Sequence, residues 1–236
     1  MNPTTLSRLL DLNRQFYQAF ATQFSLTRQR LQPGVTHILE QIDRSANVLD
    51  LGCGNGELAR QLARKAYSGS YTGLDFSPAL LEHASAGQPS NFHFLQVDLS
   101  RSDWDASLPP GQSDLILAFA VLHHLPGAEL RQRVLHQGRT LLSPQGQFIH
   151  SEWQFLNSPR LKSRIQPWET IGLSENDVDP GDYLLDWRQG GVGLRYVHHF
   201  SEAELAELAE VAGFAVTQSF LSDGENSRLG LYQVWR

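Results

Sequence analysis

Apolar residues first recur at Leu6, Leu9, Leu10, Phe16, Phe20 and Phe24, close to the 3.6-residue period that gathers side chains on one helix face. Pro33-Gly34 breaks the run and a second apolar stretch follows over 35–42, so residues 1–45 read as N-terminal helices. Short apolar runs then alternate with helical stretches. Strands are predicted over 48–51, 71–75, 92–98, 113–120 and 147–153, and helices over 57–66, 78–83 and 128–142. Such alternation predicts a parallel sheet with helices on both faces, because parallel neighbours need a crossover long enough for a helix. Over 154–200 the alternation gives way to an irregular stretch rich in Gly, Pro and aromatic residues. It is too long for a mere connection and is expected to be an insertion over the carboxyl edge of the sheet. A helix over 201–212, with Ser201 and Glu204 as a capping box, leads to two last strands, 214–220 and 229–235. The whole chain, 1–236, is expected to form one α/β domain.

The first strand runs into a glycine turn, NVLDLGCGNGELARQLA from Asn47 to Ala63. Three readings compete for it. Glycines permit a tight strand-to-helix turn whatever binds there; GxGxxG holds dinucleotides; and a GxGxG loop holds S-adenosylmethionine. Glu57 stands where the third dinucleotide glycine belongs, which counts against the second reading. Asp50 suits a ligand bearing an ammonium and would sit poorly beside a pyrophosphate. S-adenosylmethionine carries an ammonium and a sulfonium and no phosphate. Asp75 and Asp98 close the second and third strands, where one carboxylate can accept the ribose hydroxyls and the other the adenine amino group. Gly52, Cys53, Gly54, Gly56, Phe76, Leu99, Phe119 and Ala120 complete the expected cofactor site. Arg28 is either a reach toward the methionine carboxylate or a surface arginine.

The segments VLDLGCGNG, YTGLDFS, FHFLQVDLS and SDLILAFAVLHHL resemble successive motifs of class I S-adenosylmethionine-dependent methyltransferases. The resemblance spans 48–153. It implies a Rossmann-like sheet of seven strands, mostly parallel with the last antiparallel, and a methyl-transfer activity. The entry segment, with Tyr17, Ala21, Phe24, Ser25, Thr27 and Arg28, together with LRYVHHFSEAEL and DGENSRLGLYQVW, resembles the Trm-nine-like methyltransferases. That family acts on carboxymethylated wobble uridine in tRNA. Arg30-Leu31-Gln32-Pro33 departs from the Lys-Pro-Trp run usual there.

A methyl acceptor has to present a lone pair in line with the sulfonium carbon. An amine or hydroxyl benefits from a general base, whereas a carboxylate is already ionised at pH 7 and needs only orientation, best supplied by arginine. His123, Arg195 and His198 are the catalytic candidates. His123 follows the fourth strand, at the edge where such sites open; Arg195 and His198 stand before the last helix, where the insertion can fold back. Each also has a plain reading as a packed or exposed polar residue. For RNA, Arg160, Lys162 and Arg164 supply charge, with Trp153, Trp168 and Trp187 as stacking groups. The acceptor therefore stays open between tRNA and a small molecule, and a non-catalytic module that only binds the cofactor is the alternative of another class.

Composition adds limits. The 236 residues carry a net charge of −6, which gives no global basic footprint; no DNA partner is expected, and RNA would need a local patch. No apolar run approaches the ~20 residues of a membrane span, and no signal-peptide core opens the chain. The one cysteine, Cys53, agrees with a reducing compartment, and a cytoplasmic protein is expected. Its place in the turn favours small size over a catalytic thiol. No metal site is expected.

Overall fold

The computed structural model describes residues 1–27, 30–224 and 226–236. Seven strands form one sheet in the order β3-β2-β1-β4-β5-β10-β9. They are β1 (Val48–Leu51), β2 (Tyr71–Asp75), β3 (Phe92–Gln96), β4 (Ser113–Phe119), β5 (Leu142–Trp153), β9 (Val216–Ser222) and β10 (Gly230–Trp235). β3 to β5 run parallel, and β10 lies antiparallel between β5 and β9. The mostly parallel, Rossmann-like architecture expected above is the one observed.

Burial on both faces explains the continuous apolar runs. In β4, Leu115 and Leu117 face Ile38 and Leu39 of α2 (Pro33–Gln41) and Leu58 and Leu62 of α3 (Glu57–Arg64). Ile116 and Ala118 face the other way, toward Val134 and Leu135 of α5 (Ala128–Leu141) and Leu205 and Leu208 of α7 (Glu202–Val211). Each such side chain contributes roughly 1.5–3 kcal/mol on burial. Ser77 caps α4 (Pro78–Ser85), its side chain accepting from the Leu80 amide, and Pro78 supplies a preset first turn. At α7 only half of the expected capping box forms. Ser201 accepts from the Glu204 amide, but Oε1 of Glu204 turns away to Nε2 of His198, 2.8 Å distant.

The segment expected to be irregular holds α6 (Pro159–Lys162) and a second sheet, β6 (Ile165–Gln166), β7 (Asp182–Trp187) and β8 (Gly193–His198), paired antiparallel in that order. Both faces of this small sheet are covered. Leu184 and Tyr196 pack on Leu9 of α1 (Pro3–Thr27), while Leu185 and Val197 pack on Phe155 and Leu161. Two-sided burial removes the period-two alternation that marks an ordinary antiparallel strand. The sheet was hidden for that reason.

Strand order reverses beside β1, where β2 lies on one side and β4 on the other. Gly56 leads from β1 into α3, with a left-handed φ of +77°, and a Cβ there would lie 2.7 Å from the Ala84 Cα of α4. Its glycine therefore serves close helix packing. Gly56→Ala is expected to cost about 2–4 kcal/mol from the left-handed backbone and the overlap together. Thermal melting should show Tm lowered by roughly 5–15 °C, and a shift under about 2 °C would mean that α4 gives way.

Candidate active site

The carboxyl ends of β1 to β5 open into a cleft of about 560 Å³, within the ~300–1,000 Å³ of small-ligand sites. Asp50, Gly52, Cys53, Gly54, Asp75, Phe76, Asp98, Leu99, Phe119 and Ala120 all line it, as do His123 and Arg195. The residues selected from four separate sequence segments thus meet in one place. Gly56 is an exception among the predicted cofactor residues, being behind the wall against α4. Arg28 lies outside the described residues.

The glycine turn is held from outside. Asp75 accepts the Gly54 amide on Oδ2 and the Ser77 amide on Oδ1, both at 2.9 Å, tying the turn after β1 to the start of α4. Burial raises the Asp75 carboxyl, and these amides oppose it. Asp50 accepts from the Tyr71 hydroxyl at 2.6 Å. Burial pushes its carboxyl up to about 7, the Tyr71 bond pulls down, and the charge of Asp75 adds to the rise. The Cys53 thiol is raised by burial and then by both aspartates, so it is no thiolate nucleophile. A Cβ on Gly54 would meet nothing within 4 Å; the turn faces open space. A desolvated carboxylate, an open glycine turn and the apolar Phe76, Leu80, Val97 and Leu99 fit a nucleoside that bears an ammonium and no phosphate.

Helix α1 crosses the cleft. Arg14 Nε and Nη2 donate to Oδ2 of Asp98 at 3.1 and 2.8 Å, and Nη2 also reaches Ser100 Oγ. Oδ1 of Asp98 accepts from the amide and hydroxyl of Ser100. Burial raises the Asp98 carboxyl, but Ser100 and Arg14 outweigh it and hold it below the usual range. The side chain expected to meet adenine thus has protein donors at both oxygens. One turn on, the Tyr17 hydroxyl lies 2.7 Å from His124 Nε2. Asn13 exchanges hydrogen bonds with the backbone of Tyr196 on β8. Sequence reading missed Arg14 and Asn13, because a polar residue on a helix carries no sign of what it faces.

Below the end of β4, Ala120 adopts a left-handed φ of +58°, and its amide donates to Ser151. The turn that follows puts His123 on Glu152. Nδ1 of His123 lies 2.8 Å from Oε2, its amide donates to the same oxygen, and His150 Nδ1 lies 3.0 Å from Oε1. All three side chains are buried. Burial raises the Glu152 carboxyl and lowers His150 to about 3. His123 is therefore held at its Nδ1 by the Glu152 carboxyl and by the Trp153 amide, which donates to the same nitrogen at 3.4 Å.

The far half of the cleft is lined by Gln32, Val35, Ser151, Trp153, Arg160, Leu161, Arg195, Asp223, Leu229 and Tyr232, among others. Arg195 is buried, its guanidinium carbon 4.8 Å from the Trp153 ring centre, 5.4 Å from Phe16 and 5.6 Å from Trp187. These rings fix the guanidinium's position at the wall.

His198 is a correction. It is absent from the cleft wall, and its ring lies between Asp182 Oδ1 at 2.6 Å and Glu204 Oε1 at 2.8 Å. Burial lowers its pKa, and the two carboxylates outweigh burial and raise it. It ties β7 and β8 to α7. The aromatic groups proposed for RNA stacking are corrected in part. Trp168 is buried against Leu9 and Tyr196, and Trp187 packs on Phe16 and Tyr17. Arg160 and Lys162 are exposed.

Comparison with known proteins agrees with this geometry. The family model described as a methyltransferase domain matches residues 24–219. A protein of Encephalitozoon cuniculi named as a methyltransferase is 29% identical over 204 residues, 86% of each chain. Trans-aconitate 2-methyltransferase of Deinococcus radiodurans is 40% identical over 81 residues, 34% of this chain and 29% of that one. Mouse tRNA (carboxymethyluridine(34)-5-O)-methyltransferase is 30% identical over 139 residues, 59% of this chain but 19% of that much longer one. Among solved structures, the DhpI–SAM–HEP complex superposes with a TM-score of 0.69 at 22% identity, covering 97% of both chains. With the model match spanning most of the sequence, the chain belongs to the S-adenosylmethionine-dependent methyltransferases.

Proposed function

We propose that this enzyme esterifies a small carboxylic acid, held by Arg195 in the far half of the cleft. The carrying observation is the guanidinium of Arg195, buried at the cleft wall among three aromatic rings. A planar fork of donors fits a carboxylate bidentately, and desolvation strengthens the pair. Two relatives point the same way: the acceptors in their names, trans-aconitate and carboxymethyluridine, both carry carboxylates.

The donor half is assigned as follows. Asp50 holds the ammonium of the cofactor, the Gly52–Gly54 turn gives its backbone room, and Asp75 faces the ribose. Phe76, Leu99, Phe119 and Ala120 cover the base. When bound, S-adenosylmethionine supplies a methyl group on cationic sulfur, and that sulfur keeps the electron pair of the broken bond. Arg195 aims a carboxylate oxygen at that carbon, so the new O–C bond forms with no proton to move. The cleft's size and the burial of Trp168 and Trp187 favour a small acid over tRNA.

A second reading rests on His123 and Glu152, which are arranged to deprotonate a hydroxyl or amine. Labelled cofactor offered to a panel of small acids and to bulk tRNA separates the cases. Label is expected in base-labile esters of the acids, and label in tRNA alone would overturn the proposal. At saturating cofactor, kcat/KM for the acid should be level from about pH 6 to 8.5, since the acceptor is ionised throughout; a rising limb lost in His123→Gln would favour the second reading.

Arg195→Ala is expected to lower kcat/KM by roughly 10- to 100-fold, the worth of a charged hydrogen bond. Calorimetry should find S-adenosylhomocysteine affinity unchanged, and a loss there would move Arg195 to the donor half. Asp50, at about 7 in the folded chain, is mostly protonated below that pH and ionised above it. An ammonium ligand prefers the ionised form, so affinity for S-adenosylhomocysteine should rise about tenfold from pH 6 to 8 and then level off. Asp50→Asn should flatten that rise; a flat wild-type profile would remove Asp50 from the ammonium site.

A further inference from the structure

The far half of the cleft carries a negative group as well as a positive one. Asp223 follows β9 and lines the cleft with Gly224, Leu229, Gly230 and Tyr232. Its carboxylate is fixed from two sides: Oδ1 accepts the Gly34 amide at 2.9 Å and Oδ2 accepts the Tyr232 hydroxyl at 2.6 Å. Burial first, and Asp223 second, push the Tyr232 phenol up, so the phenol stays protonated and donates. Backbone and phenol thus orient the carboxylate, with lone pairs left over on both oxygens.

The sheet register places this group relative to Arg195. Gly230 pairs with Trp153 across β10 and β5, and Tyr232 pairs with Ser151. Residues facing each other in an antiparallel pair project from the same side, with Cβ atoms about 5 Å apart. A Cβ on Gly230 would lie 2.6 Å from Asp223 Oδ2, so the carboxylate occupies the space in front of Gly230. The indole of Trp153, on the facing strand, lies under Arg195. The Trp153–Gly230 pair therefore has a guanidinium at one end and a carboxylate at the other, both on the cleft wall. The missing side chain at 230 is what leaves room for the second charge. The same half of the cleft is lined by Trp153, Leu161 and Leu229, with the exposed Arg160 beside Leu161.

From this juxtaposition we infer that Asp223 is a specificity-determining residue of the acceptor site, selecting acids whose remote end donates a hydrogen bond or carries a positive charge. The inference rests on the carboxylate reading given above. A hydroxyl, amide or ammonium at the far end meets Asp223 directly. A second carboxylate meets a fixed like charge, and like charges so placed discriminate against the wrong ligand. The acceptor is thus a bifunctional monoacid, and polyacids such as trans-aconitate are refused in spite of the likeness to enzymes named for that compound.

The test compares ω-hydroxy, ω-amino and α,ω-dicarboxylic acids of one chain length, with trans-aconitate as a further polyacid, in wild type and Asp223→Asn. Wild type should favour the hydroxy or amino acid over the diacid by about tenfold or more in kcat/KM. Asp223→Asn keeps an acceptor for one of its two donors and removes the charge. It should narrow or reverse that ratio while S-adenosylhomocysteine affinity holds, a shift in selection that a loss of packing alone would not produce. Wild-type preference for the diacid, or a variant that loses all acids in equal proportion, would overturn the assignment of Asp223. Where the variant does not fold, wild-type preference for the diacid still overturns the assignment. If wild type bound the cofactor and methylated no acid of any kind, the carboxylate reading itself would fall, and Asp223 with it.

Discussion

Burying a carboxylate is expensive, and this cleft is built around four that stand at or beside neighbouring strand ends. Asp50, Asp75 and Glu152 are buried, and Asp98 is half-buried. Each has drawn its own donors: a tyrosine hydroxyl, two turn amides, an arginine with a serine, and a pair of histidines. For each of them at least one partner comes from another element, namely Tyr71, Gly54, Arg14 and His123, so satisfying each carboxylate fixes a contact between elements. The glycine turn, the start of α4, the crossing of α1 and the seat of His123 all follow from that requirement. What burial leaves uncompensated shows as raised carboxyls at Asp50, Asp75 and Glu152.

Much of this was legible before the fold was known, and the reason is local. The strand–turn–helix at Val48 to Glu57 needs glycine at fixed places and an acid at the next strand ends, and such demands leave a mark in sequence. Helix caps at Ser77 and Ser201 are equally local. Long-range pairings leave no comparable mark. Nothing near Arg14 announces Asp98, and nothing near His198 announces Asp182 on one side and Glu204 on the other. His198 and its neighbours looked like one cluster, but a strand sends successive side chains to opposite faces, so Arg195 and His198 part company. The small sheet of the insertion was missed because it is buried on both faces. Trp168 and Trp187 were read as a surface because aromatic residues in an irregular stretch carry no sign of what covers them.

On the proposed reading, the insertion also explains how a common scaffold acquires a private acceptor site. The glycine turn and strand ends of the large sheet line the donor half. The far half draws on α2, α6, β8 and the turn between β9 and β10, the parts in which methyltransferases with one fold are free to differ. Leu161 and Val197 share a cluster with Trp153 and Leu229, so the insertion is packed onto the end of the large sheet and does not hang over it.

Helix α1 has a consequence of another kind. Over little more than one turn, Asn13 is fastened to Tyr196, Arg14 to Asp98, and Tyr17 to His124. A single rod therefore borders the donor wall, the insertion and the turn after β4 at once. On the proposed assignment of the cleft, substitutions along this helix would retune donor and acceptor affinity in the same stroke. Independent control has to be sought at the glycine turn for one and at the β9–β10 turn for the other.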